Sequence, residues 1–258
     1  MSATSTMKTI LIVGATGGIG ESFARRFHSM GKKVIVTGRR AERLQALKSE
    51  LPGLETYTMD NTDIGSLPAH VKTLTTQYPD IDTVWVNSGI QFVFDFKTAA
   101  SVEDDAKVSR EITTNVTAPM ILARHFVPFL LKRPDHGTFM ITSSGLAFVP
   151  MGAFPIYCPT KAFVHHFMVG LRQQLIGTNI TVIEIAPPYV ATDLDAAHKP
   201  TDIPAPMPLA EYTDKTFEIL NGKPATEIKE VGVGFAAMGA EAWRGAFGGI
   251  LEHMKLGG

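Results

Sequence analysis

The sequence predicts a doubly wound α/β fold, a parallel sheet with helices on both faces and three layers in all (α/β/α). Three observations lead there. Short runs rich in Val and Ile alternate with longer stretches of helical periodicity along most of the chain. The runs are apolar without alternation, as strands covered on both faces are. The stretches between them are long enough for the crossover helices that right-handed βαβ units require.

Taken in order, strands are expected at TILIV (9–13), KVIVT (33–37), ETYTM (55–59), DTVWV (82–86), TFMIT (138–142) and ITVIEI (180–185). Residues 19–30 place Ile19, Phe23 and Phe27 at a spacing of four, and residues 41–51 carry Leu44, Leu47 and Leu51, both helical patterns. A helix near 64–77 begins with Leu67-Pro68, and proline suits a first turn. Two long helical stretches follow, at about 102–131 and 155–177, and the tail AEAWRGAFGGILEHM reads as a short amphipathic helix. No low-complexity linker interrupts the pattern, so residues 1–258 are expected to form one domain. Within it, Pro187, Pro188, Pro200, Pro204, Pro206 and Pro208 crowd the segment 187–210. That much proline excludes a core helix or strand there. A substrate-loop region is expected at about 187–225, because a loop this long inside a compact domain is usually functional.

Composition excludes several classes. The formal net charge is −1 over 258 residues, so nothing marks a nucleic-acid binder. Cys158 is the single cysteine, which rules out an intrachain disulfide. The apolar run ILIV near the N-terminus is too short for a signal peptide, and no apolar stretch approaches the ~20 residues of a membrane span. A cytoplasmic protein with no membrane association is the expectation.

The first chemical signal is VGATGGIG, which follows the first strand and opens the first helix. Gly14, Gly18 and Gly20 give a strand-to-helix turn without Cβ atoms, where a pyrophosphate can sit on backbone N–H groups. No Gly-Lys-Ser/Thr follows, so the turn is not a phosphate loop of the nucleotide-triphosphatase type. The second strand ends in VIVTGRRAERL. An acid at that position would bind a ribose 2′-hydroxyl; Arg39 and Arg40 suit a 2′-phosphate instead. The cofactor expected is NADP(H).

Further segments complete a pattern: MDNTD (59–63), VNSGI (86–90), TTNVTAP (113–119), ITSSG (141–145), YCPTK (157–161) and PPYVAT (187–192). In order and spacing, from Ile10 to about Thr192, the chain resembles the single-domain short-chain dehydrogenase/reductase family, with its Rossmann-like fold. The resemblance implies that Gly14, Thr16, Gly18 and Ile19 hold the pyrophosphate side of the cofactor and that Asp60 and Asn61 line the adenine pocket. It places Asn87 and Gly89 beside the adenine ribose, and Thr192 with backbone around Val190 at the nicotinamide carboxamide. Two departures stand out. Val86-Asn87-Ser88-Gly89 replaces the family's Asn-Asn-Ala-Gly, and Pro187-Pro188 replaces Pro-Gly, which removes one backbone donor near the nicotinamide.

Tyr157 and Lys161 lie at i and i+4, on one helix face. A cation beside a phenol is expected to lower its pKa and fit it for general acid/base work. The family resemblance adds cofactor contacts for both residues. It also selects Ser144, thirteen residues before the tyrosine, to bind the substrate oxygen, with Ser143 as runner-up. Asn115 completes the set; Pro119, four residues on, has no N–H to offer its carbonyl. In the family the backbone of this Asn holds a water that contacts the lysine. His165 and His166 are read as packing or subunit contacts, with no metal expected. Phe92, Phe94, Phe148, Phe154 and Tyr189 are candidates for an apolar pocket wall. The sequence therefore points to an NADP(H)-dependent oxidoreductase acting on a small-molecule carbonyl/alcohol substrate, as a homo-oligomer (dimer or tetramer) by family analogy. The alternatives are a non-catalytic NADP(H)-binding regulator or scaffold of the same fold, and an isomerase or dehydratase of the same superfamily.

Overall fold

A computed structural model describes residues 1–195 and 204–254. These residues form a seven-stranded sheet in the order β3-β2-β1-β4-β5-β6-β7. Its strands are β1 (Thr9–Val13), β2 (Lys33–Gly38), β3 (Glu55–Thr58), β4 (Thr83–Val86), β5 (Gly137–Thr142), β6 (Ile180–Ala186) and β7 (Glu230–Gly232). Every pairing is parallel. The six expected strands are all present. The seventh holds three residues with one apolar side chain between Glu230 and Gly232, too short to carry a period.

The helices are α1 (Ala3–Thr6), α2 (Gly18–Ser29), α3 (Ala41–Glu50), α4 (Leu67–Gln77), α5 (Val102–Ile112), α6 (Ala118–Leu131), α7 (Tyr157–Gln174), α8 (Leu209–Gly222) and α9 (Phe235–His253). Strand pleating divides the core in two. Ile10 and Ile12 of β1 face a cluster with Phe23 and Phe27 of α2 and Tyr212 and Phe217 of α8. Leu11 and Val13 face the other side, with Leu74 of α4, Phe126 of α6 and Met168 of α7. This is why the strands read as continuous apolar runs: each parity belongs to its own core.

Three local findings bear on the site. The stretch expected to be one long helix changes pitch at Thr113–Thr117, a π-helical turn in which the Ala118 N–H donates to the Thr113 carbonyl five residues back. Pro119 follows at once, where an α-helical donor is missing. Residues 209–222, inside the proline-marked region, form a helix that begins directly after Pro208. Pro200 and its neighbours in that region lie outside the described residues; Met207 bridges in parallel to Val190. Among the described residues no helix is long and apolar enough to cross a membrane.

Candidate active site

Strand β1 ends at Val13 and the chain turns through Gly14 at φ 91°, which a residue with a Cβ adopts only at a cost. A Cβ there would also stand 2.7 Å from the Ser88 backbone. The loops after β1 and β4 therefore touch main chain to main chain, at the point where strand order reverses and α/β sheets open a crevice. Gly20 serves the same closeness: its Cβ would fall 2.2 Å from the Gly14 carbonyl oxygen. Asn87 ties the junction, donating from Nδ2 to that carbonyl at 2.9 Å and accepting from Thr142 Oγ1 at 2.9 Å.

A cavity of about 730 Å³ opens here, well within the range of cofactor and ligand sites. Gly14, Thr16, Gly18, Ile19, Asn61, Asn87, Gly89, Val190 and Thr192 all line it, as do Arg39 and Arg40. Helix α2 starts at Gly18 with no side-chain cap on its first turn, so its leading N–H groups are open to a ligand. Arg40 donates to the Thr16 carbonyl and hydroxyl, both at 2.8 Å. Arg43, which the sequence reading missed, reaches the same carbonyl at 3.3 Å and lies 3.7 Å from Asp193. Its signal was the i, i+3 spacing from Arg40. Burial, then the charges of Arg43 and Arg39, pull the Arg40 guanidinium below its ordinary pKa against the opposing Asp193. An uncapped helix start ringed by crowded guanidinium groups fits a phosphate-bearing dinucleotide. Asp60 stands apart from the other expected cofactor residues. Its Oδ1 accepts from Thr62 N and Oγ1 at 2.9 and 2.8 Å, and it does not line the cavity.

Of the four residues named for chemistry, Ser144, Tyr157 and Lys161 line the same cavity, and Asn115 is buried outside the lining. Tyr157 occupies the first turn of α7 with Pro159 two residues on, the placement that lets the helix tolerate its proline. Lys161 follows one turn later, its Nζ 5.5 Å from the Tyr157 ring centroid and donating to the Thr142 carbonyl at 2.9 Å. Ser144 lies two residues beyond the end of β5, its hydroxyl accepting from Leu146 N at 3.1 Å and close enough to the Tyr157 side chain to lower the phenol's pKa. Ser143 points elsewhere, donating to buried Glu184. Both serines line the cavity. Asn115 sits in the π-helical turn and clamps two neighbours. Its Oδ1 accepts from Ile90 N at 2.9 Å, and its Nδ2 donates to Ile90 O at 2.8 Å and to Thr160 Oγ1 at 3.2 Å.

One electrostatic expectation is corrected. Burial is the largest influence on Tyr157 and raises its pKa above the ordinary phenol value; the Ser144 hydrogen bond opposes it only in part. Lys161 is itself buried, and desolvation lowers its ammonium to about 8, against the opposing charges of Glu111 and Glu184. In the ligand-free protein the phenol is thus held protonated, not drawn toward phenolate.

The aromatic wall is partly as expected. Phe92, Phe154 and Tyr189 line the cavity together with Leu146, Met151, Leu194 and Phe235. Phe148 instead packs on His165, ring centroids 4.7 Å apart, and Phe94 is not in the lining. His165 and His166 part company: the first is buried, the second exposed. His165 donor or acceptor Nδ1 meets Glu184 at 2.8 Å, and Glu184 and Glu230 bring carboxylates close enough to share a metal ion with it. Positive charge is already supplied there by Arg172, which reaches Glu230 at 2.8 Å, and by Arg244, which donates to the same carboxylate at 2.9 Å. Burial raises the Glu230 carboxyl, but the two guanidinium groups outweigh it and hold its pKa below the ordinary value.

Relatives agree with this arrangement. Residues 8–202 match the family described as short chain dehydrogenase. The uncharacterized oxidoreductase DltE of Bacillus subtilis is 39% identical over 193 residues, 74% of each chain. The NADP-dependent 3-hydroxy acid dehydrogenase YdfG of Salmonella typhi is 37% identical over 182 residues, 70% of this chain and 72% of its own. The solved short-chain dehydrogenase from Sphingobium yanoikuyae in complex with NADPH superposes with a TM-score of 0.81 at 26% identity, covering 95% of both chains. The glycine turn at the strand reversal, the tyrosine and lysine one helical turn apart, and these matches lead to one conclusion: the chain belongs to the short-chain dehydrogenase family of oxidoreductases.

Proposed function

We propose that this protein is an NADP(H)-dependent oxidoreductase that interconverts a small ketone or aldehyde and its alcohol, with Tyr157 as general acid and base. One observation carries the reading. A buried phenol, an ammonium and a serine hydroxyl share a wall of a cavity whose other end is an uncapped helix N-terminus among arginines. The relatives whose names specify NADP support the cofactor.

When bound, the dinucleotide supplies or takes up hydride. The chain's own groups do the rest. The open N–H groups at Gly18 and Ile19 bind pyrophosphate, and Arg39 and Arg40 pair with the 2′-phosphate. Lys161 binds the nicotinamide ribose and keeps positive charge beside the phenol. The Ser144 hydroxyl fixes the substrate oxygen and steadies charge that develops on it. Tyr157 gives its proton to that oxygen in reduction and recovers it in oxidation. A phenol kept protonated by burial is in the form that donates, which suits reduction. The apolar lining from Phe92, Met151, Phe154 and Phe235 favours a substrate with an apolar body.

The test is an NADPH-coupled screen of aldehydes and ketones graded by size and polarity, followed at 340 nm. Stoichiometric NADPH consumption is the expected result; tight NADPH binding with no oxidation across the panel defeats the proposal. Replacing Arg39 and Arg40 together by alanine is expected to raise KM for NADPH roughly 30-fold, on about 2 kcal/mol for lost contacts to a charged group. KM for NADH is expected to stay within about twofold. Equal losses for both cofactors would remove the 2′-phosphate assignment.

A further inference from the structure

We propose that Glu111 is a positioning residue for the Tyr157–Lys161 pair, a buried carboxyl whose negative charge keeps the lysine an ammonium. The inference rests on the reading of that pair as the acid/base couple.

Glu111 lies in the last turn of α5 and is fully buried, while the rest of that helix is half-buried or exposed. Its surroundings do not repay a carboxylate. Oε1 accepts one hydrogen bond, from Phe92 N at 3.2 Å. Oε2 is buried and has no hydrogen-bond partner among the described residues. Burying an acid with one oxygen unsatisfied costs about 1–3 kcal/mol or more, and a glutamine amide oxygen would serve the Phe92 N–H equally well. The feature therefore asks for a use that an amide could not fill.

The position supplies one. The Phe92 N–H holds the Glu111 carboxyl against the loop after β4, and Asn115 of the π-helical turn is bound to Ile90 of that same loop. The Asn115 Oδ1 and the Lys161 Nζ both approach to 3.4 Å of the point where a Cβ on Gly89 would stand, and Glu111 Oε1 meets the same loop three residues on, at Phe92 N. Among the groups whose titration is displaced, those that feel Glu111 are on α7: Lys161, Tyr157 and Cys158; Lys161 feels Glu184 of β6 as well. From the loop after β4 Glu111 receives only the Phe92 N–H. Burial raises the Glu111 carboxyl to about 7, with the Phe92 hydrogen bond and the Lys161 charge opposing. The sign follows. Above that value the carboxylate is charged and raises Lys161 against its own desolvation. Below it the carboxyl is neutral and the lysine needs no help to stay protonated. The Cys158 thiol is raised by burial and stays neutral across this range.

The experiment is a titration of Lys161 in the ligand-free protein by NMR with ¹³C-labelled lysine, in wild type and in Glu111→Gln. The substitution keeps an acceptor for Phe92 N–H and removes only the charge. The Lys161 midpoint is expected to fall by about one pH unit, and the alkaline limb of the kcat profile is expected to move down with it at unchanged KM for NADPH. Glu111→Asp is expected to restore part of both shifts. A Lys161 midpoint that does not move, with only thermal stability reduced, assigns Glu111 a structural role and overturns the proposal. If Glu111→Gln fails to fold, the wild-type Lys161 signal decides. It is expected to show a second, smaller step as Glu111 ionises, and a single-step curve overturns the proposal. The titration needs no turnover, so a protein that reduces no carbonyl refutes the proposed reaction while leaving this test readable.

Discussion

Tyr157→Phe is expected to lower kcat for NADPH-dependent carbonyl reduction by about 10²- to 10⁴-fold, the range a positioned general acid contributes. The substitution deletes one oxygen from a side chain that is 5% exposed and packed against Phe154, ring centroids 6.4 Å apart. The ring keeps its contacts, so the fold and the cavity wall stay in place. The proton donor to the substrate oxygen is gone, while the Ser144 hydroxyl keeps its hydrogen bond from Leu146 N. Lys161 is expected to keep its hydrogen bond to the Thr142 carbonyl, because that bond does not pass through the phenol. NADPH affinity, measured by calorimetry or fluorescence, is therefore expected to remain within about twofold. Activity retained within about threefold of wild type would remove Tyr157 from the role proposed for it.

Arg172→Met is expected to cost about 3 kcal/mol of stability, the lower part of the range for stripping one partner from a buried ion pair. The methionine replaces the aliphatic stem but not the charge. Arg172 is 8% exposed and holds four things at once: Val182 O through Nε at 3.0 Å, Lys229 O through Nη2 at 2.5 Å, Glu230 at 2.8 Å and, at 4.0 Å, Glu184. Its removal leaves Glu184 with His165 and Ser143, and Glu230 with Arg244. Those survivors are why the lower figure applies. For a chain of this length the loss corresponds to about 6 °C in Tm. Guanidinium unfolding checks it, with Glu211→Gln as the contrast. That residue's pair with Lys215 is an exposed i, i+4 contact, expected to matter by less than about 0.5 kcal/mol. A loss below about 1 kcal/mol for Arg172→Met would show that the network is not under strong desolvation.

The sheet was legible because parallel strands are buried on both sides, so β1, β2, β4, β5 and β6 stand out as runs of Val and Ile. ETYTM is the least apolar of the six expected strands, and β3 is a half-buried edge of the sheet. β7 was invisible for want of length. Helix α8 was obscured by the prolines before it: Pro208 ends the irregular segment, and Leu209 starts the helix one residue later. At the site, Tyr157 and Lys161 could be singled out from their spacing along one helix, and Ser144 from the family resemblance. Glu111 and Arg43 could not be weighed in the same way, since their meaning comes from neighbours far away in the chain. The pKa of Tyr157 was misjudged for a related reason. Spacing revealed the cation four residues away, but only the three-dimensional arrangement revealed how thoroughly the phenol is taken out of water.

The π-helical turn at Thr113–Thr117 acts as a phase shifter. A single α-helix advances about 100° per residue, so one extra residue in a turn rotates everything before it against everything after it. Downstream, Leu122, Phe126 and Leu130 keep contact with the sheet. Upstream, Lys107 and Arg110 line the cavity and Glu111 reaches inward. Deleting one residue from the turn would bring the two halves back into step. The sheet-facing half would hold its place, and the cavity-facing half would swing by about 100°, taking Glu111 away from Lys161. The widened turn therefore lets one continuous rod serve two clients whose angular demands disagree.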